Sequence, residues 1–212
     1  MKLKWLGHSC FLITSSAGVR ILTDPFDSTV GYKVPEEQAD IVTISHDHFD
    51  HNYLAAVQGD FVPINTSGQH NVLGIEITGV DTFHDDAGGS KRGSNVVFTF
   101  WIDGMKICHL GDLGHIPADE QVIQIGEVDI LLIPVGGTYT IDYKEATKLV
   151  GLMNPKLVIP MHYKTPVMDF PIDGVDKFLA NMGSVQSLNS QELEVDPVSF
   201  NPAAKVVVLN YE

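Results

Sequence analysis

The sequence predicts an α/β domain in which mixed β-sheets are layered with helices. Short apolar runs rich in Val, Ile, Phe and Thr dominate the first hundred residues and are typical of β-strands. In the second half such runs alternate with stretches of helical periodicity, an order that favours a layered α/β fold. The chain has 212 residues, of which 44 % are hydrophobic. We therefore expect one domain, residues 1–212, around a single core.

The predicted strands are short and bounded by turn residues. In chain order they are KLKWL, CFLIT, VRILT, DIVTIS, FVPI, IEITGV, NVVFTFWIDGMKICHL, DILLIPVGG and KLVIPMH. The longest of these segments contains Asp103-Gly104, a dipeptide that favours a β-hairpin turn. The last two runs are apolar throughout, which indicates strands buried on both faces.

Helical patterns occur in four segments: Asp50–Val57, Pro117–Ile125, Asp142–Met153 and Asp173–Met182. A proline suits the first turn of the second segment. The third has an acidic first turn and stops before Asn154-Pro155, and Gly183 can end the fourth.

Charge and hydropathy limit the classes of partner. The formal net charge is −14, from 27 acidic and 13 basic residues, and this field disfavours binding to nucleic acid. No apolar run approaches the roughly 18 residues of a membrane span. The beginning, MKLKWLGHSCFLI, is typical of a first strand rather than a signal peptide, and Cys10 and Cys108 form no disulfide framework. We expect a cytoplasmic protein with free thiols, and a homo-oligomer is left open.

The strongest chemical signal is an H-x-H-x-D-H motif that directly follows the run DIVTIS. In an extended segment, positions two apart project to the same side, so His46 and His48 can share one metal ion. If the chain then turns into a helix, Asp50 and His51 can face a neighbouring site. Imidazole and carboxylate groups are ligands for Zn²⁺, Fe or Mn²⁺.

Three further strand-like runs end with a residue that can bind metal. His84 follows one run, Asp112 follows the next, and His162 follows KLVIPM. Functional groups collect beyond the carboxyl ends of strands in α/β folds, so these residues can converge on the motif. Taken alone, each of these residues is more often an ordinary polar residue than a ligand. His109 is expected to lie in the core or to support a ligand side chain rather than to bind metal, whereas His70 and His115 are expected at the surface.

The order H-x-H-x-D-H, isolated His, G-D and P-x-H resembles the metallo-β-lactamase superfamily. WLGHSCFLI, ILTDPF, HLGDLG, IPVGG and VIPMHYKT are similar to a branch of uncharacterised metal-dependent hydrolases that includes L-ascorbate-6-phosphate lactonase-like proteins. The resemblance implies a four-layer αββα sandwich with its site between the edges of two sheets. It also implies the following ligands: His46, His48 and His84 for metal one, Asp50, His51 and His162 for metal two, Asp112 bridging both, and Asp85 or Asp86 as alternatives to His84.

The ligand set has chemical consequences. The expected cofactors are two divalent ions, Zn²⁺ first, with Mn²⁺ or Fe as alternatives. They carry four positive charges, of which the carboxylates of Asp50 and Asp112 neutralise two. Such a cationic site suits a small anionic substrate. A metal lowers the pKa of its water from about 15.7 to about 7, which makes hydroxide available at neutral pH. Asp50 is the expected catalytic residue, because a carboxylate there could orient the hydroxide or carry its proton.

Other residues are expected to support the site. Asp24 and His8 are candidates to hold ligand side chains, because ligand histidines usually donate their second N–H to an acceptor. Glycines 88, 89 and 93 surround Lys91 and Arg92 and predict a flexible basic loop, which either binds a phosphate or carboxylate of the substrate or is a solvated turn. Tyr139 and Lys164 are further substrate-contact candidates.

The expected function is hydrolysis of a small ester, lactone or phosphodiester by metal-bound hydroxide. A ribonuclease or phosphodiesterase of the same superfamily is the first alternative, and the acidic balance disfavours it. A non-catalytic, metal-dependent sensor or binding module is the second. The length leaves no room for the flavin-binding domain of a di-iron oxidoreductase, and the absence of a cysteine at Asp112 disfavours β-lactamase activity.

Overall fold

Two mixed β-sheets packed face to face form the fold in a computed structural model that describes residues 1–211. Residue 212, the last of the predicted domain, lies outside the described residues. The strands are β1 Lys2–Gly7, β2 Cys10–Thr14, β3 Arg20–Thr23, β4 Ile41–Thr43, β5 Val62–Ile64, β6 Gly68–Val72, β7 Ile75–Phe83, β8 Ser94–Ile102, β9 Met105–His109, β10 Ile130–Pro134, β11 Leu157–Met161, β12 Val185–Ser187, β13 Glu192–Glu194 and β14 Val206–Val208. The helices are α1 Asp119–Ile125, α2 Tyr143–Met153 and α3 Asp176–Leu179, with 3-10 turns at Ser28–Val30 and Leu54–Ala56.

Within residues 1–211, the first sheet has six strands in the order β13-β1-β2-β3-β4-β5, and the second has eight in the order β12-β14-β11-β10-β9-β8-β7-β6. Antiparallel pairing from β13 to β3 gives way to parallel pairing at β3-β4 and β4-β5. The second sheet is antiparallel from β6 to β9 and parallel from β9 to β12. These pairings confirm the predicted α/β class with mixed sheets.

The main core lies between the sheets. Alternation along β1 buries Leu3 and Trp5 and turns the intervening lysines outward. Trp5 stacks with Phe11 of β2, and both belong to one cluster with Phe98 and Phe100 of β8. Strands β10 and β11 are buried at every position, as their apolar sequences predict for strands covered on both faces.

Local signals explain the elements that the sequence predicted well. Asp142 caps α2 by accepting hydrogen bonds from the N–H groups of Lys144 and Glu145, and Glu145 accepts one from the Asp142 N–H. Asn154 ends this helix in the left-handed conformation. Asp103 and Gly104, at φ 52° and 80°, form the tight turn between β8 and β9.

The predicted helix at Asp50–Val57 is wrong. That segment consists of turns, with a 3-10 turn at Leu54–Ala56. The His51 N–H bonds back to the carbonyl of His48, and the Tyr53 N–H bonds to the distant carbonyl of Pro25, so the segment's backbone is drawn into non-helical contacts. The helices predicted at Pro117–Ile125 and Asp173–Met182 are shorter than expected.

The structure adds four short strands to the predicted ones: β6, β12, β13 and β14. β6, β12 and β13 are mostly exposed, whereas β14 is a mostly buried run of three valines that the prediction missed. Among residues 1–211, none of the helices has the length and apolar character that crossing a bilayer requires.

Candidate metal centre

The polar residues of the centre lie just beyond the carboxyl ends of strands from both sheets. They are His8 after β1, Asp24 after β3, Ser45 and His46 after β4, His84 after β7, Asp112 after β9 and His162 after β11. The sheets converge at this edge, which is where α/β folds place functional groups. Side chains far apart in sequence therefore meet in one buried region.

Three of these residues have backbone conformations that are unusual for non-glycine residues. His8, Asp24 and His162 have φ values of 52°, 43° and 50°. Such conformations cost about 1–3 kcal/mol each and persist only where the surroundings impose them. The His8 carbonyl accepts hydrogen bonds from the Trp5 indole and from the His162 N–H, at 3.0 and 3.1 Å. The first sheet and the β11 loop are thereby tied together directly behind the centre.

Close backbone approach brings the β9 loop against its neighbours. Asp112 N–H donates to Asn95 Oδ1 at 2.9 Å, and Asn95 in turn donates to the Leu110 carbonyl. A Cβ at Gly111 would collide with Asn95 and with Ser45, so only glycine fits there. This packing carries Asp112 into the middle of the histidines.

One group of possible ligands consists of His46, His48 and His84, whose donor atoms lie within 4.8 Å of one another. His46 and His84 are buried, whereas His48 is half-buried. The His46 and His48 rings lie 4.5 Å apart, although residues 45–48 form bends and not the extended segment that the sequence suggested. This is the set that the sequence assigned to metal one.

Asp112 lies among imidazoles from three different loops. Its Oδ2 is 3.3 Å from Nε2 of His51, 3.3 Å from Nε2 of His84 and 3.2 Å from Nε2 of His162. His46, His51 and Asp112 form a second group of donors within 4.8 Å. A carboxylate in this position can bridge two cations, one on each side.

His8, His51 and His162 form a third group within 4.8 Å. His8 Nε2 lies 3.2 Å from Asp50 Oδ2, while His51 Nε2 is 3.8 Å from the same oxygen. The sequence placed Asp50 with His51 and His162 and treated His8 as a supporting residue. The structure brings all four side chains together.

Asp24 holds two of the imidazoles. It accepts a hydrogen bond from His51 Nδ1 at 2.9 Å and another from Ser45 Oγ at 2.6 Å. Ser45 Oγ lies 2.9 Å from His46 Nδ1. Because the single hydroxyl proton of Ser45 goes to Asp24, His46 must donate to Ser45. Sequence reasoning missed this contact of Ser45, although Ser45 directly precedes His46.

These hydrogen bonds turn both Nε2 atoms toward the interior of the centre. Within residues 1–211, Nε2 of His46, Nε2 of His51 and Oδ1 of Asp112 are buried and have no hydrogen-bond partner. Buried polar atoms are normally satisfied, so a cluster of unsatisfied nitrogen and oxygen atoms fits a cation. Histidine ligands with the second nitrogen hydrogen-bonded are the usual arrangement at metal sites. The residues present fit a divalent metal.

Burial and neighbouring charges perturb the histidines in opposite directions. Burial, with the adjacent His51, lowers the pKa of His46 to about 3. Burial also opposes a charge on His51, but Asp112 and Asp50 outweigh it and raise the pKa of His51 well above its usual value. Burial opposes ionisation of Asp112 as well, yet His162 and His51 hold the pKa of that carboxyl well below its usual range.

A cavity of about 580 Å³ opens above these residues. His48, Asp50, His84, Asp112 and His162 line it. The rest of the lining consists of Asp47, Phe49, Lys91, Arg92, Tyr139 and Phe170. The structure thus places Lys91, Arg92 and Tyr139, the candidates for substrate contact, at the cavity wall, together with Asp47, Phe49 and Phe170, which the sequence did not indicate.

Other predicted residues have different surroundings. Lys164 donates its Nζ to the carbonyl of Phe170 at 3.1 Å instead of lining the cavity. Asp86 pairs with Lys91 on the exposed side, and Asp85 is occupied by backbone N–H groups, so His84 is better placed than either to join His46 and His48. His109 is buried and its Nε2 bonds to the Ser9 carbonyl, as expected for a core residue.

The chain is similar to known proteins over most of its length. A family model described as a β-lactamase superfamily domain matches residues 2–162. A metal-dependent hydrolase of Methanosarcina barkeri is 35 % identical over 196 residues, covering 78 % of this chain and 84 % of the relative. One from Thermococcus onnurineus is 32 % identical over 193 residues, covering 78 % and 85 %. A solved structure, a candidate Zn-dependent hydrolase of the metallo-β-lactamase superfamily from Thermotoga maritima, has 44 % identity and a TM-score of 0.82, covering 98 % of this chain and 97 % of that one.

Proposed function

The chain belongs to the metallo-β-lactamase superfamily, and on that premise we propose that it is a metal-dependent hydrolase with two metal ions. Its proposed substrate is a small anionic ester, lactone or phosphodiester. The observation that carries the proposal is the position of Asp112 Oδ2, which lies 3.2–3.3 Å from three imidazole nitrogens beside unsatisfied buried donor atoms.

The residues that would hold the metals divide between the two sides of Asp112. His46, His48 and His84 would hold one ion, and Asp50, His51 and His162 the other. Zn²⁺ is the first choice, because imidazole with carboxylate is a donor set that it commonly takes. The Thermotoga maritima structure, described as a candidate Zn-dependent hydrolase, supports this choice. Bound at this place, two divalent ions would supply an activated water and Lewis-acid stabilisation of developing negative charge.

Asp50 is the proposed catalytic carboxylate. It lines the cavity, and His8 donates a hydrogen bond to its Oδ2. Burial opposes ionisation of Asp50, but His51 and His8 hold its pKa well below the usual range, so it is a carboxylate at neutral pH. As an ionised carboxylate it can accept a hydrogen bond from water in the cavity and so orient that water for attack. His8 acts through Asp50 and is a positioning residue.

The size and charge of the site favour a small substrate. A cavity of about 580 Å³ lies in the range typical of small-molecule sites. The formal net charge of −14 opposes binding of a polynucleotide, which supports a small-molecule hydrolase over a ribonuclease.

The test is metal analysis of protein purified without chelator, run beside hydrolysis of bis(p-nitrophenyl) phosphate and of p-nitrophenyl esters. We expect about two metals per chain and hydrolysis that a chelator abolishes. His48→Ala should lose metal and activity. His70→Ala is the matched control, because His70 lies on β6 with its Nε2 on the Thr66 carbonyl, and it should change neither.

Each other outcome has a definite meaning. Protein that takes up no metal after reconstitution would contradict the proposal. Two metals without hydrolysis of either probe class would favour a metal-dependent binding module. Preference for the phosphodiester or for the esters would separate phosphoryl from acyl chemistry.

A further inference from the structure

The loop between His84 and β8 is built to present its basic residues to the cavity. We call residues 85–93 the basic arm. Asp85 accepts hydrogen bonds from the N–H groups of Ala87, Gly89, Lys91 and Arg92, at 2.7–3.0 Å. The sequence predicted a flexible loop here, but a nearly inaccessible carboxylate gathers its backbone into a closed turn.

The arm is also closed at its base. The His84 N–H bonds to the Gly93 carbonyl at 3.0 Å, and the Gly93 N–H bonds to the Gly89 carbonyl at 3.0 Å. The start and end of the arm are therefore joined beside a proposed metal ligand. The position of the arm relative to the metal centre is set by the backbone itself.

The two basic side chains of the arm differ. Lys91 Nζ forms an ion pair with Asp86 Oδ1 at 2.7 Å on the exposed side. Within residues 1–211, the Arg92 guanidinium has no carboxylate partner and no hydrogen bond. It lies 5.2 Å from the centre of the Tyr139 ring and lines the cavity. The chain has two arginines: Arg20 pairs with Asp40, whereas the Arg92 guanidinium lies at the cavity wall and is free to bind an anionic group of a ligand.

Aromatic side chains form the wall beside Arg92. Tyr139 and Phe170 meet edge to face at 6.2 Å, and Phe170 meets the His8 ring at 5.8 Å. Phe49 also lines the cavity and is 55 % exposed, so its ring is accessible to a ligand. Flat aromatic surfaces suit a planar ligand.

We propose that Arg92 binds a carboxylate of the substrate that is remote from the bond being cleaved, while the planar part of the substrate lies against Phe49, Tyr139 and Phe170. The proposed substrate class is thus an aromatic or otherwise planar molecule with a free carboxylate. A carboxylate is favoured over a phosphate monoester because a single unpaired guanidinium balances one negative charge, and Lys91 already meets Asp86. This inference rests on the proposed function, since it places the reacting end of the substrate at the metal centre.

The test measures binding to metal-loaded protein by titration calorimetry and needs no turnover. Terephthalate is compared with 4-carbamoylbenzoate, and isophthalate with 3-carbamoylbenzoate. Within each pair the shape is matched and only the second negative charge differs. In the wild-type protein, at least one dicarboxylate should bind about tenfold more tightly than its amide.

Variants locate the effect. Arg92→Gln should reduce the affinity ratio of dicarboxylate to amide to about one, with unchanged metal content. Lys91→Gln should keep most of that affinity ratio. Lys33→Gln, an exposed change beside a different cavity, is the matched control and should keep it fully. Asp85→Asn should lose the ratio with its metals retained, because one amide oxygen cannot replace a carboxylate that takes four N–H groups.

The failures are distinguishable. Two results would overturn the role of Arg92 and leave the metal centre intact. One is metal-loaded protein that binds each dicarboxylate no more tightly than its amide. The other is an Arg92→Gln variant that still prefers the dicarboxylate as strongly as the wild-type protein does. A protein that takes up no metal overturns the proposed function, and this inference with it. An advantage of 4-phosphonobenzoate over terephthalate that disappears in Arg92→Gln would overturn the assignment of a carboxylate.

Discussion

The two sides of the candidate metal centre differ in electrostatic character. The His46 side comprises His46, His48 and His84, and the His51 side comprises His8, Asp50, His51 and His162. Burial lowers the pKa values of His46 and His48, so these imidazoles are neutral at physiological pH. On the other side, burial lowers the pKa of His8 as well, but at His51 the charges of Asp112 and Asp50 overcome burial and raise the pKa. The difference means that the imidazoles of His46 and His48 are ready for a cation, whereas a cation that binds His51 must displace a proton.

The two sides nevertheless share their supports. Asp112 approaches nitrogens on both, and Asp24 holds His51 directly and His46 through Ser45. One change can therefore affect both sides or only one, depending on where it falls in these contacts. The predictions below test that distinction.

The largest effect is expected from Asp112→Asn, which removes the charge shared by the two sides. We expect both metals to be lost and hydrolysis to fall by more than about 100-fold, beyond the roughly 10–100-fold effect of losing an outer hydrogen-bond partner. Elemental analysis and the chelator-sensitive assay measure both. Asp60→Asn, at an exposed position, is the control. A variant that keeps one tightly bound metal would show that the sides do not depend equally on Asp112.

A smaller effect is expected from the residues that orient the imidazoles. Asp24→Asn should weaken both metals by about 10–100-fold, because a neutral amide with one acceptor oxygen replaces the carboxylate that accepts from His51 Nδ1 and from the N–H and hydroxyl of Ser45. Ser45→Ala should weaken only the ion on the His46 side. Titration of metal-free protein with Zn²⁺ can resolve the two binding steps. Equal weakening of both steps by Ser45→Ala would contradict the proposed division.

The smallest effect concerns the pH dependence of unfolding in the metal-free protein. Burial lowers the pKa of His8 to about 4 and that of His46 to about 3, from 6.5 when unfolded. At pH values between the folded and unfolded pKa values, the unfolded chain binds more protons than the folded protein. The free energy of unfolding should therefore rise with pH, by about 1 kcal/mol or more from pH 5 to 6.5. The raised pKa of His51 has the opposite effect on the free energy of unfolding. Its stabilising contribution is complete below pH 6.5 and is lost as the pH rises through the pKa of His51 in the folded protein.

Urea unfolding midpoints at pH 5, 6.5 and 8 measure this balance. His46→Gln should make the increase of the urea midpoint with pH smaller below pH 6.5. His51→Gln should remove the contribution of His51 to the decrease of the midpoint above pH 6.5. An unchanged pH profile in both variants would show that the two sides do not differ in the way described.

Prediction from sequence succeeded where the signal is local. The helix α2 is bounded by its own cap at Asp142 and by Asn154, and the β8-β9 hairpin by Asp103-Gly104. Prediction failed at Asp50–Val57, where apolar spacing favoured a helix but long-range contacts such as Tyr53 N–H to the Pro25 carbonyl took the backbone. The exposed strands β6, β12 and β13 were missed because their residues carry little apolar pattern.

The sequence by itself determined the superfamily, the alternation of elements and the residues of the H-x-H-x-D-H motif, because each depends on residue types at short, fixed spacings. Only the tertiary structure decided that His8 holds Asp50, that Ser45 joins His46 to Asp24, and that Asp85 gathers the basic arm. These contacts depend on the register and convergence of two sheets, which bring strand ends far apart in the chain within hydrogen-bond distance. Spacing along the chain carries no record of that convergence.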